Sequence, residues 1–401
     1  MPVGDLPVFA LEEWFRRFAF EPDMVNLSAS NPISPTVGEL LALTGTPSRV
    51  LEEISLDYSE TPGLPRLRAS IASLYDDLDP AGVVVTSGAL EAILLTLLCT
   101  LERAERVLVE TPIYGAYGPL LDMVGADVRP FELRPRDGYG YDPERFGTAL
   151  RTLQPSVVII NPFNNPTGRG VDSAASLARV FDLSTTHGCR LLSDEVFRLI
   201  PLSGSALPSV IDLGGRPGGN RRALVGSRQH PAEAPAPPIA LGDMTKAWGL
   251  GGLRIGWVAT RDPGLVVRLL DARDYTTNSC SRLSEEVAVL ALSVRDQLLA
   301  GPLEQARAAR AAVADLIDAS GGALAWYAPS GGFCGWVEVT DAQPGEVVEA
   351  CERLATEQRI LLLPGSVFGP TGDRFVRVGL ATGADALTAG LTALLGLLGR
   401  D

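Results

Sequence analysis

The stretch GDMTKAWGLGGLRIGW, residues 242–257, holds Lys246, and no other lysine occurs among the 401 residues. All the other members of the 34 Lys plus Arg are arginine. Arginine serves as a solvated surface charge as well as lysine does, but its guanidinium stays protonated and cannot attack a carbonyl. A primary amine that forms a Schiff base has no substitute among the other side chains, so one retained lysine points to covalent chemistry. Its neighbours supply what such chemistry needs. Arg254 lies within the glycine-rich GLGGLRIG, where the backbone can approach a ligand closely, and a fixed cation there suits a phosphate. In VTSGALEA, Ser87, Gly88 and Ala89 end an apolar strand and open a helix; free amides and the helix dipole make a second anion site there. NPFNNPTG, residues 161–168, sets Asn165 among polar amides at the carboxyl edge of a sheet, where open α/β sheets bind ligands. LLSDEVF ends another apolar strand in Asp194, a carboxylate able to hold a ligand's ring nitrogen protonated. Singly, each has an ordinary structural alternative: chance survival, a helix start, a turn, a strand cap. Together they form an amine, an acid, an amide and a phosphate cradle.

The elements that must position these groups read as an α/β protein. Short β-branched runs at Gly82–Thr86, Val107–Glu110, Val157–Asn161, Arg190–Ser193, Ile239–Leu241 and Gly256–Ala259 alternate with helical periodicity at Ala89–Leu101, Ser176–Thr186 and Gly264–Ala272. That alternation predicts a mostly parallel sheet covered on both faces. Ser284–Asp318 reads as helical, GGFCGWVEV and RFVRVGLA as strands of a smaller α+β unit, and Ala386–Leu398 as its closing helix. The boundaries expected are a 1–35 arm contributing to the small domain, a large domain over 36–283 and a small domain over 284–401. FALEEWFRRFAF, residues 9–20, has the pattern of a short amphipathic helix with Trp14, Phe15 and Phe18 suited to docking. Gly214–Pro238, dense in Gly, Pro, Ala and Arg, is expected to be a long loop with room for one short strand.

Composition narrows the partners. A formal charge of −14, with no long basic run, argues against nucleic acid. No stretch reaches the length of a membrane span without a polar break, and MPVGDLPVFALEEW lacks a signal-peptide pattern, so cytoplasmic residence is the default. Five cysteines, odd in number and without a CxxC pair, and only two histidines suggest reduced thiols and no metal site.

From Tyr58 to Arg377 the chain resembles the fold type I pyridoxal 5′-phosphate (PLP) enzymes of the class I/II aminotransferase family, on NNPTG, SDEVF and TKAWGLGGLRIGW. The resemblance implies a seven-stranded, mostly parallel α/β/α domain beside a smaller α+β domain. It implies that Lys246 forms the internal aldimine and moves protons, that Asp194 binds the pyridine nitrogen, that Asn165 donates to the cofactor O3′ and that Tyr114 stacks on the ring. Arg254, Ser87 and the amides of Gly88 and Ala89 would hold the phosphate, joined by Tyr58 from a second subunit of a homodimer with a shared active site. Arg377 would grip the α-carboxylate of an amino acid substrate. A transcription regulator of the same fold is disfavoured, because it needs a DNA-binding domain ahead of the large domain.

Three positions depart from the family pattern. Phe197 stands where a tyrosine usually donates to O3′, Asp243 stands where a hydroxyl residue is common, and Pro162 precedes Phe163 in an unusual order. Asp243 either is balanced by Arg254 or points elsewhere. Phe197, RDYTTNSCSRLSEE and the N-terminal LEEW look like a smaller subgroup, the capreomycidine synthases and PLP-dependent arginine oxidases. The expected activity is therefore an external aldimine with an L-α-amino acid, α-proton abstraction, and then elimination, replacement, cyclisation or related carbanion chemistry in a natural-product pathway. Ordinary transamination with a 2-oxo acid is the alternative. Glu12 and Glu13 are candidates to meet a cationic side chain, against the plain alternative of a solvated helix face. Because Lys246 is the sole lysine, borohydride reduction of the purified protein should fix the cofactor on the peptide containing it. Mass spectrometry of the digest checks this, and a colourless protein that takes up no PLP would contradict it.

Overall fold

The computed structural model describes residues 8–214 and 236–400. Among the described residues seven strands form the larger sheet, in the order Val83–Thr86, Gly256–Thr260, Ile239–Asp243, Arg190–Asp194, Val157–Ile160, Arg106–Thr111, Asp127–Glu132. Only Gly256–Thr260 runs against its neighbours. The inner strands are short and wholly buried, as in the VVII of Val157–Ile160, which a sheet covered on both faces requires. Successive side chains divide between the two faces. Val84, Ile159, Leu192 and Val258 pack with Ile93 and Leu97 of the helix Gly88–Thr100. Val83, Val85, Val158, Ile160 and Leu191 join the core on the other face.

The six expected strands of this sheet are present within a residue or two of their expected ends. The seventh, Asp127–Glu132, is not written as an apolar run. It is an edge strand carrying Pro130, with only Phe131 buried, and edges tolerate both proline and polar side chains. The expected single helical run over Ser284–Asp318 is two helices, Arg282–Ser293 and Arg295–Ala319, parted at Val294, whose backbone leaves the helical region (φ −121°, ψ 22°). Of the loop expected over 214–238, residues 215–235 lie outside the described residues.

A second, antiparallel sheet runs Leu363–Pro364, Phe375–Gly379, Cys334–Val339, Leu324–Trp326. The N-terminal segment is stitched to this side of the molecule. Its helix, Ala10–Phe18, buries Leu11, Trp14 and Phe18, with Phe15 only half-buried. The Trp14 indole donates to the Leu362 carbonyl at 3.1 Å. Val25–Asn26 then pairs with Ile360–Leu361, and Gly379 N–H donates to Leu27 O at 2.7 Å. Glycine is required at 379, because a Cβ there would stand 2.0 Å from Ala29 O. The chain from 27 to 31 is thus pressed onto the small sheet and led toward the carboxyl ends of the large one. Among the described residues no helix is long and apolar enough to cross a membrane.

Candidate active site

Two adjacent strands of the large sheet bring the acid and the amine together. Arg190–Asp194 ends in Asp194, and Ile239–Asp243 is followed directly by the short helix Thr245–Trp248 that carries Lys246. Asp243 Oδ1 accepts the backbone N–H groups of Thr245 and Lys246, each at 3.1 Å. Asp243 therefore caps the turn that presents the lysine, a use of Asp that answers where its charge is directed. The Lys246 Nζ donates to Ser30 Oγ at 3.0 Å.

Asp194 is buried, and the Tyr117 hydroxyl donates to its Oδ2 at 3.0 Å. Asn161 Nδ2 donates to the Asp194 carbonyl at 2.8 Å, and Asn161 Oδ1 accepts the N–H of Asn165 at 2.8 Å. Behind them the buried Glu110 accepts from Asn161 N, Asn164 Nδ2 and Tyr141 Oη. These bonds fix the NPFNNPTG loop and so the place of Asn165. Asn165 Oδ1 in turn accepts from Arg377 Nη1 at 3.1 Å, while Arg377 Nη2 donates to Ser28 O at 2.8 Å. Arg377 is 1% exposed and lies against the Phe368 ring, and among the described residues its Nε has no partner. A buried cationic N–H left unpaired is costly, and an arriving carboxylate would satisfy it.

A cavity of about 580 Å³ opens over these groups, lined among others by Lys246, Asp194, Asn165, Asp243, Tyr114, Phe197, Ala89 and Arg254. Arg254 takes a left-handed backbone conformation (φ 54°) that turns its side chain across the start of the helix Gly88–Thr100. A Cβ on Gly88 would lie 2.4 Å from its Nη2, and one on Gly256 would lie 2.4 Å from the Gly88 carbonyl carbon. The guanidinium and the helix start are therefore held together by two glycines, as an anion cradle needs. The Ser87 N–H is already taken by Glu91 Oε2 at 2.5 Å. Tyr114 meets Phe9 edge-on at 5.6 Å. Phe197 is 1% exposed and packs over Gly332.

Both N-terminal acids are exposed, but Glu12 lines the cavity and Glu13 does not. Tyr58 is 83% exposed and stays away from the cavity within one chain. Nothing in the sequence singles out Ser30, Tyr117, Asn161 or Arg16, the last another residue of the cavity wall. Each is a lone polar residue brought in by packing, although Asn161 opens the conspicuous NPFNNPTG motif.

Burial sets the electrostatics. It pushes the Asp194 carboxyl up to about 7, against the opposing Tyr117 hydrogen bond. Burial also lowers the Lys246 ammonium, opposed first by Asp243. A buried acid in no ion pair among the described residues, an amine with a depressed pKa, and a guanidinium at a helix start fit a ligand bearing a basic ring nitrogen, an aldehyde and a phosphate. That donor set on a mostly parallel seven-stranded sheet defines a fold type I PLP enzyme.

The chain belongs to the aminotransferase class I and II family, whose match covers residues 22–393. It is 31% identical over 399 residues to capreomycidine synthase of Streptomyces vinaceus, covering 98% of this chain and 94% of that one. It is 25% identical over 341 residues to the arginine–pyruvate transaminase AruH of Pseudomonas aeruginosa, covering 82% and 79%. Among solved structures it is similar to the PLP-dependent cyclase OrfR, with TM-score 0.85, 28% identity and 98% coverage of each chain. The Thermus thermophilus aspartate aminotransferase shares the fold at TM-score 0.80 and 22% identity, again with 98% coverage of each. PLP is the cofactor.

The Asp194 carboxyl gives a pH test with a definite sign. Its folded value of about 7 lies above the unfolded value of about 3.9, so between these the folded state binds more protons, and stability falls as pH rises. Cofactor-free Asp194→Asn should melt above cofactor-free wild type at pH 8 by at least about 3 °C, with the gap closing toward pH 4. With PLP added the order should reverse. Differential scanning fluorimetry across pH checks both.

Proposed function

We propose that this enzyme takes a cationic L-α-amino acid, removes its α-proton with Lys246, and carries the reaction into the side chain by elimination, replacement or cyclisation in a natural-product pathway. The observation that carries the reading is one cavity lined at once by Lys246, Asp194, Asn165 and, from the N-terminal helix, Glu12. PLP, when bound, supplies an aldehyde that joins to amines and a ring that withdraws electrons from the substrate α-carbon.

The chain's own residues do the rest. Arg254, with the amides of Gly88 and Ala89, holds the phosphate. Asp194 keeps the ring nitrogen protonated, and Tyr117 and Asn161 keep Asp194 in place. Tyr114 covers the ring, and Asn165 donates from its amide nitrogen, since its oxygen is engaged by Arg377. Arg377 binds the α-carboxylate through its unpartnered Nε. Lys246, its ammonium form disfavoured by burial, is the base at the α-carbon. Phe197 offers no hydroxyl to the cofactor O3′, which leaves that oxygen with fewer donors than a tyrosine would give. Glu12 receives the cationic end of the substrate. Similarity to the arginine–pyruvate transaminase supports a guanidinium-bearing substrate, and similarity to capreomycidine synthase and the PLP-dependent cyclase supports chemistry beyond transamination. The exposed Leu56, Tyr58 and Tyr275 support a homodimer in which Tyr58 reaches the partner's phosphate.

Transamination is the second reading, favoured by the aspartate aminotransferases among the relatives. Incubating the holoenzyme with a panel of L-amino acids, with and without oxygen and a 2-oxo acid, separates the two by product mass. The proposal expects a cationic amino acid to be consumed without a 2-oxo acid acceptor. Strict dependence on the acceptor, with the simple 2-oxo acid as product, would establish transamination.

Two substitutions locate the substrate. Glu12→Gln should raise KM for cationic amino acids by roughly tenfold or more and leave neutral ones unchanged, as expected for a hydrogen bond to a charged group. Arg377→Lys should raise KM for every substrate by roughly ten- to a hundredfold while cofactor content holds, because the fork is lost and the charge kept. Steady-state kinetics on both variants, with cofactor absorbance measured alongside, checks these outcomes.

A further inference from the structure

We propose that Ser30 is a positioning residue for the catalytic base: its hydroxyl receives the Lys246 amine whenever that amine is free of the cofactor and holds it for the proton transfer at the α-carbon. The inference rests on the reading of Lys246 as that base and is independent of the later chemistry at the substrate side chain.

Among the described residues, Ser30 Oγ is the only hydrogen-bond partner of Lys246 Nζ, at 3.0 Å, and Lys246 Nζ the only one of Ser30 Oγ. The contact joins residues 216 positions apart, and the segment that delivers Ser30 is fixed at several points. The Ser28 N–H and hydroxyl both bond to Asn26 Oδ1, at 3.0 and 2.8 Å, and Ser28 O accepts from Arg377. Leu27 O accepts from Gly379, whose missing Cβ admits Ala29. Ser30 itself is 8% exposed. A hydroxyl held this firmly beside a nucleophilic amine constrains where that amine can go.

The chemistry favours a hydroxyl there. A carboxylate partner would stabilise the ammonium strongly and keep the proton that the base must later return. Asp243, the first charge to oppose the lowering of the Lys246 ammonium, makes no hydrogen bond to Nζ among the described residues and spends Oδ1 on the backbone amides of Thr245 and Lys246. A neutral oxygen accepts from the ammonium more weakly, so the amine is oriented while its pKa stays useful for base catalysis. In the step itself the Cα–H bond breaks, its electron pair stays on the substrate, and the proton goes to Nζ. Ser30 gains and loses no proton.

The charged and titratable groups around Lys246 are Asp243 on its own turn, Asp194 on the next strand, and Cys334 and Arg377 on the small sheet. Glu12, Arg16 and Arg254 line the same cavity. All remain in a Ser30 variant, so a comparison isolates the hydroxyl. Because Lys246 is the only lysine, protein grown on lysine labelled with ¹³C at the ε-carbon gives one side-chain resonance, and its titration in the cofactor-free protein reads this amine alone. Ser30→Ala should move the midpoint down by about one pH unit, the loss of one acceptor from an ammonium. Ser30→Thr should leave it in place. In the holoenzyme, exchange of the substrate α-proton with deuterated solvent should slow roughly tenfold in Ser30→Ala, with its acid limb moved the same way, and should be largely restored in Ser30→Thr. Equal losses in the alanine and threonine variants, or an unmoved midpoint with undiminished exchange in Ser30→Ala, would overturn the inference alone. Exchange that survives in Lys246→Ala would overturn the reading of the base and the inference with it.

Discussion

The buried carboxylate of Asp194 is the constraint on which the rest of the site depends. A charge taken out of water is costly unless it meets a cation and hydrogen-bond donors. The protein supplies donors, through the Tyr117 hydroxyl and a backbone amide. It leaves the carboxyl pushed up to about 7, a value that a protonated ring nitrogen of the bound cofactor would bring down. The same burial that raises the carboxyl's pKa would make the site selective for a ligand with a basic ring.

Around that acid, three parts of the chain converge that sequence keeps far apart. The large sheet brings Asp194 and Lys246 to the ends of neighbouring strands. The small sheet contributes Arg377, joined to the large-sheet loop through Asn165. The N-terminal segment crosses both: its helix puts Glu12 in the cavity wall, and its extended stretch puts Ser30 on Lys246. Anything that shifts the small sheet therefore also shifts Arg377, Ser28 and Ser30 relative to the lysine. The tight packing of Gly379 against Ala29 makes that movement a joint one.

What the sequence makes legible depends on how each residue is recognised. Inner strands such as Val157–Ile160 are visible because burial on both faces demands an uninterrupted apolar run. The edge strand Asp127–Glu132, with Pro130 and one buried side chain, has no such demand and looks like a loop. Lys246, Asp194 and Asn165 stand out because they belong to local motifs with a strand, a turn and a helix in fixed order. Ser30 and Tyr117 do not, since their partners lie 216 and 77 residues away and neither residue type is unusual. Asp243 falls between: its charge is conspicuous, and its capping of the amides two and three residues on is a local pattern that spacing alone can suggest. Glu12 and Glu13 are equal as sequence; the helix's docking through Leu11, Trp14 and Phe18 separates them.

On the proposed reading, the site is built around a carboxylate that the ring cation of the bound cofactor would complete. The most direct measurement compares the affinity of the cofactor-free protein for PLP with that for an analogue in which the ring nitrogen is replaced by C–H. With the aldehyde, phosphate and ring shape kept, the part of the difference that disappears in Asp194→Asn reports the Asp194 interaction. At pH 8 PLP should bind roughly ten- to a hundredfold more tightly, the value of a charge-assisted hydrogen bond in a buried site. Equal affinities would contradict the account.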